Sequence, residues 1–288
     1  MLFNDEQDAE VSDTTEDKQG SFRWQHKNFN GRKDNDYGPQ FCFTGLARYI
    51  YNVNLSPDTS ALVESEYSSV ISQYISYFNE LPDAGKKRFL ERTIRFCSIK
   101  HFSYIGMEEK NEIPILISAA AVQITFGLEK YELPFFKNIY VMPDAYKRTG
   151  EKEIFVGHVS PEGIFISWKY FLQGYGDVTD NVNVAIHEMA HALEHESFIN
   201  EADVDADFKT DFAKLASVSG PVFAGAIVNH GSYLRNYAFT NMQEFWAVSV
   251  EAFFENPAAL KQSLPQLYGT LCDILNQDPL TKDKIWSK

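Results

Sequence analysis

Cysteine is scarce in this chain. There are three in 288 residues, Cys42, Cys97 and Cys272. The number is odd, the spacing wide, and no C-x-x-C occurs, which argues against a disulfide framework and a cysteine-built zinc site. Positive charge is also short: 26 Lys and Arg against 40 Asp and Glu give a net charge of −14. Nucleic acid and anionic membrane surfaces need a basic partner, so neither is expected. Long apolar runs are missing too. The longest, residues 113–126, falls short of the roughly 20 residues that cross a bilayer, and it contains Pro114, Ser118, Gln123 and Thr125. The first twenty residues have neither a basic start nor an apolar centre, so no secretory signal is read there. No internal repeat or Gly/Ser linker divides the chain. These absences together predict a soluble, cytoplasmic, globular protein.

Residues 1–38 are rich in Asp, Glu, Asn, Gly and Lys, and are expected to form a mobile acidic tail. Phe22, Trp24 and Phe29 interrupt it. Residues 39–288 read as one domain, with 39–80 a helical addition to a core over 80–280. Tyr67, Val70, Ile71, Tyr74, Ile75 and Phe78 recur at helical spacing within a predicted helix over 62–81. Pro82-Asp83 opens another helix, with Phe89, Leu90, Ile94 and Cys97 toward the core and Lys86, Lys87, Arg88, Glu91 and Arg92 toward solvent. Residues 113–126 form a buried helix ending at Gly127, a good residue just past a helix end. Strand-like runs follow at 138–142, 153–158 and 163–168, with turns between them. The remainder is again helical. The fold class is therefore α+β, mostly helical, with a small sheet before the helix described next.

That helix carries His187-Glu188-Met189-Ala190-His191, an H-E-x-x-H motif. Residues four apart on a helix lie about 40° apart around its axis, so both imidazoles can face one ion. Neutral imidazole is a natural Zn²⁺ ligand, and Glu188 stands beside the pair, able to act on a metal-activated water. The bland alternative is a surface helix with two unrelated histidines. Val182, Val184, Ala185, Ile186, Met189, Ala190 and Leu193 argue against it, because such a segment suits burial and a buried His or Glu needs a partner. Thr179 or Asp180 is expected to cap the helix start.

A catalytic zinc site usually has three protein ligands. His195 lies a further turn along, and His26, His101, His158 and His230 are isolated. A carboxylate on the apolar helix after Thr240 is the better candidate. Thr240 and Gln243 have capping-box spacing, and Glu244 sits in the first turn. Glu251 follows on the same face, and spacing alone does not choose between the two.

The segment from Asn183 to Leu193 resembles the metal helix of the Mlc titration factor A family, bacterial zinc peptidases of the gluzincin type related in catalytic core to anthrax lethal factor. A second match runs from Asn236-Tyr237-Ala238 through Glu244 and Phe245 to Glu251 and Phe253-Phe254. Weaker ones lie at Phe126-Gly127-Leu128, Val141-Met142-Pro143-Asp144, residues 163–168 and Asn276-Gln277-Asp278-Pro279. The resemblance covers about residues 80–280 and implies a zincin-like metallopeptidase fold. It implies one Zn²⁺ held by His187, His191 and Glu244, with Glu188 as general base and Tyr237, seven residues before Glu244, as oxyanion donor. Glu194 stands where the family typically has aspartate, and residues 198–232 match poorly.

The resulting expectation is a zinc peptidase acting on peptide or protein substrates, aminopeptidase-like by resemblance. Residues 163–168 are a candidate edge strand for an extended peptide, with an ordinary core strand as the alternative. A rival from another class is a regulatory protein that sequesters a transcriptional repressor (Mlc, by resemblance) and keeps zinc mainly as a structural element. Glu188 favours catalysis, because a purely structural site has no use for it.

Overall fold

A computed structural model describes residues 57–281, apart from 149, 151–152, 200–205 and 229–231. The expected tail, most of the region leading to the first helix, Cys42, His26 and His230 lie outside the described residues.

The helix expected over 62–81 is two: α1, Pro57–Tyr74, and α2, Ser76–Asn79. The break falls at Ile75, which is buried and extended (φ −108°, ψ 95°). No glycine or proline marks it. The chain bends there so that Phe78 can meet Phe89, with ring centroids 5.4 Å apart. Helix α3, Asp83–Ile99, starts after Pro82, whose φ of −64° suits a helix entry. It buries Phe89, Leu90, Ile94 and Cys97 as expected. Arg92, expected on the solvated face, does something else. Its Nη1 donates to the carbonyls of Thr125, Phe126 and Leu128 at 3.3, 3.1 and 2.7 Å. It thereby satisfies acceptors at the end of α4, Glu112–Thr125, that have no partner within the helix.

Helix α4 is buried from Ile113 through Thr125, as a helix apolar all round should be. Gly127 follows it as expected, without a positive φ. A Cβ there would lie 2.2 Å from the Asn276 carbonyl oxygen and 2.4 Å from that of Leu275. The glycine is required by close approach of another chain segment.

The strands are β1 His101–Tyr104, β2 Asn138–Met142, β3 Tyr146–Lys147, β4 Ile154–Phe155, β5 Gly157–Ser160 and β6 Gly163–Ser167. One sheet has the order β1-β2-β6-β5, parallel except for the antiparallel β5–β6 pair; β3 and β4 form a separate antiparallel pair. Sequence pattern did not show β1, and the run at 153–158 divides into β4 and part of β5. Strand β6 lies inside the sheet, so residues 163–168 are not an edge strand; β1 and β5 are the edges. Phe102, Ile139, Val141, Ile164 and Ile166 belong to the helix-packed core, while Tyr140, Phe165 and His158 stack across the other face at 4.4 and 4.1 Å.

After the sheet come α5 Trp168–Gly176, α6 Val184–Ile199, α7 Ala206–Val228, a 3-10 turn at Asn236–Phe239, α8 Met242–Glu255, α9 Pro257–Ser263 and α10 Pro265–Leu275. The architecture is α+β, mostly helical, with its small sheet ahead of the motif-bearing helix α6, in keeping with a zincin-like fold. No helix among the described residues is long and apolar enough to cross a membrane.

Candidate metal centre

Helix α6 begins after Asn183, whose Oδ1 accepts the Ile186 N–H at 3.1 Å. The cap is therefore neither Thr179 nor Asp180; Asp180 accepts the Val182 N–H in the turn before. Helix α8 is capped by Asn241, which accepts the Glu244 N–H at 2.9 Å, one residue beyond the expected Thr240. The Trp246 indole N–H donates to the Ala190 carbonyl at 2.8 Å and fixes the two helices in register.

That register brings His187, His191 and Glu244 together. Their three donor atoms lie within 4.8 Å of one another, and all three side chains are buried. His187 Nε2 and His191 Nε2 are 3.0 Å apart, and Glu244 Oε2 is 3.2 Å from the first and 3.5 Å from the second. Ligands about 2.0–2.1 Å from a tetrahedral zinc are themselves roughly 3.3 Å apart, so the triangle has the size of such a site. Both oxygens of Glu188 and both of Glu244 are buried with no hydrogen-bond partner among the described residues. Buried carboxylates with unfilled acceptor capacity call for a cation.

The electrostatics agree. Burial alone would depress His191, but the carboxylates of Glu194, Glu244 and Glu188 outweigh it and push its pKa up to about 10. Burial would raise Glu244, yet the two imidazoles hold it well below the carboxylate range. Burial raises Glu188 well above its ordinary value, with Glu244 and Glu251 adding to the effect against His191. The pocket thus favours positive charge at its centre.

Around this triangle is a second layer. Glu251, fully buried, accepts from His187 Nδ1 at 2.6 Å and from the Asn183 backbone N–H at 2.6 Å. It is therefore behind the imidazole and not among the three converging groups. Arg235 Nη2 forms an ion pair with Glu251 Oε1, the oxygen that His187 Nδ1 approaches. Glu194 Oε2 stands 3.8 Å from His191 Nδ1, an ion-pair distance too long for a hydrogen bond. The Tyr237 ring lies beside His187, centroids 6.2 Å apart. Glu188 rests against β5, where a Cβ on Gly157 would fall 2.6 Å from its Oε1.

Two other described histidines, His195 and His158, lie outside the triangle. His195 packs its ring toward Phe136, and burial lowers its pKa to about 4. His158, lowered to about 3 by burial and Arg148, is hydrogen-bonded to the Tyr146 hydroxyl at 2.6 Å. Arg235 and Gly157 were not singled out from sequence. A glycine inside a strand signals close approach, which could have flagged Gly157; no local pattern marks Arg235. An apolar groove of about 580 Å³ lined by Val222, Tyr233, Leu264 and Pro265, among others, contains none of the site residues.

A family model described as "Glucose-regulated metallo-peptidase M90" matches residues 57–275. The chain belongs to that family. The M90 match takes in α1 and α2 as well as the region resembling Mlc titration factor A. An uncharacterized protein of Synechocystis sp. is 23% identical over 245 residues, 74% of this chain and 84% of the relative. Membership makes the M90 chain a metallopeptidase, with peptides or proteins as its substrates.

Proposed function

We propose that this chain is a cytoplasmic, zinc-dependent peptidase of the gluzincin type, with His187, His191 and Glu244 as the metal ligands. Two imidazoles and one carboxylate form a donor set that would suit zinc. When bound, Zn²⁺ lowers the pKa of water and polarises a carbonyl. Glu188 takes the proton of the attacking water and passes it to the leaving amine. Tyr237 donates a hydrogen bond to the developing oxyanion. The observation that carries this reading is the pair of partnerless Glu188 oxygens next to the His187–His191–Glu244 triangle.

The substrate peptide lies along β5. The Ser167 N–H donates to the Val156 carbonyl at 2.8 Å. By antiparallel alternation, Gly157 and Val159 turn their N–H and C=O groups away from β6, on the side of β5 that pairs with no other strand of the sheet. Strand addition there engages any backbone and leaves side-chain preference to the surroundings. An aminopeptidase-like restriction to free N-termini rests on the resemblance alone.

A second reading is sequestration of a transcriptional repressor, supported by the "glucose-regulated" wording of the family description. It has no need of a base at 188. Glu188→Gln therefore separates the two. For a peptidase, the variant keeps its zinc and loses peptide hydrolysis by at least a hundredfold. Undiminished hydrolysis would sink the proposed role of Glu188.

A further inference from the structure

We infer that Arg235 is a positioning residue that holds His187 and Tyr237 in one geometry through Glu251; the inference rests on the peptidase reading above. Glu251 is 0% exposed and engages three groups at once. One oxygen takes the His187 Nδ1–H and the Arg235 guanidinium, and the other takes the Asn183 N–H at the start of α6. A carboxylate removed from water needs such charge compensation, and Arg235, its side chain 18% exposed, supplies it. Arg235 Nη2 is also 3.4 Å from His187 Nδ1, so the guanidinium lies against the same edge of the imidazole.

Arg235 immediately precedes the 3-10 turn Asn236–Phe239 that carries Tyr237. Its guanidinium carbon is 5.9 Å from the Tyr237 ring centroid, and that ring is 6.2 Å from the His187 ring. One side chain therefore fixes the back of a candidate metal ligand and the segment presenting the candidate oxyanion donor. A planar guanidinium suits this better than an ammonium, because it can face a carboxylate and a ring at once. Outer partners of this kind commonly contribute 10- to 100-fold to metal affinity.

The test measures zinc affinity by competition with a chromophoric chelator, alongside kcat and KM on one peptide. The proteins are wild type, Arg235→Gln, Arg235→Lys, Tyr237→Phe and Arg235→Gln/Tyr237→Phe. Arg235→Gln is expected to bind zinc about tenfold or more weakly, with Arg235→Lys between it and wild type. At saturating zinc, Arg235→Gln is expected to lower kcat with little change in KM. That kcat loss should shrink in the Tyr237→Phe background, because Arg235 acts on catalysis through Tyr237. Wild-type zinc affinity in Arg235→Gln, or an undiminished kcat loss in the Tyr237→Phe background, would overturn the inference. If Arg235→Gln fails to fold, Arg235→Lys is judged alone, and wild-type zinc affinity and kcat in it overturn the inference. A wild type that binds zinc but cleaves nothing counts against the peptidase reading, while the zinc affinities still judge Arg235.

Discussion

Glu188 touches the backbone of β5 only because residue 157 has no side chain. A methyl there would meet Glu188 Oε1, Cγ and Cδ at 2.6, 2.7 and 2.9 Å, so the carboxylate has to move. A displacement of order 1 Å in a catalytic group can cost about a hundredfold in rate. Gly157→Ala should therefore lower kcat by about that factor while zinc content stays at the wild-type level; an unchanged kcat would show that Glu188 does not work from this position. The convergence of His187 and His191, with Glu188 beside them, was legible because a fixed spacing on a helix has a fixed geometry. Glu244 and Glu251 were not separable by that means, since seven residues return to the same helix face. Only the placement of His187 between them tells which approaches its Nε2 and which its Nδ1. Gly127 had its position anticipated for a different reason: the constraint comes from Asn276, 149 residues away, and not from the helix it follows.

At the level of elements, what was local in sequence was largely readable. Strand β2 and helix α4 follow their apolar patterns closely. Misreadings arose where distant packing decided. Ile75 breaks a helix that has no breaker residue, and β1 is a four-residue strand given its place by pairing with β2. Strand β6 was a candidate edge, but topology puts β5 outside it, and single-strand pattern carries no information on strand order. Both site helices start one or more residues away from the expected caps, each on an asparagine. Asn241→Ala removes the acceptor for the Glu244 N–H. It should cost about 1 kcal/mol of unfolding free energy, read as a lower denaturant midpoint with the slope unchanged. An unaltered midpoint would mean the cap contributes nothing.

For the whole molecule, the candidate centre is closed: His187, Glu188, His191 and Glu244 are at most 1% exposed. Val156 and Val184, with Ala145, Tyr170 and Tyr237 packed on them, form a small apolar group of their own beside it. A second buried charge lies away from the site. Lys100 donates from Nζ to the carbonyls of Leu133 and Phe136 at 2.6 and 2.8 Å, a pair that a neutral amine can satisfy. Burial lowers its pKa from 10.5 to about 7, against the pull of Glu196 and Glu132. A depressed folded-state pKa contributes stability that is present above pH 10.5 and lost as pH falls toward 7. The advantage of wild type over Lys100→Met in unfolding free energy should therefore grow between pH 7 and 10, by up to about 1.4 kcal/mol per pH unit. Equal pH slopes for the two proteins would contradict it.

The central claim is one metal held by two helices and used for hydrolysis. It is tested most directly by the metal content of purified wild type, Glu244→Ala and Glu251→Ala, with cleavage of a peptide library on the same samples. The account predicts near-stoichiometric zinc and cleavage in wild type, loss of both in Glu244→Ala, and zinc retained, though more weakly, in Glu251→Ala. Wild type without zinc, or Glu244→Ala with its full complement, would contradict it.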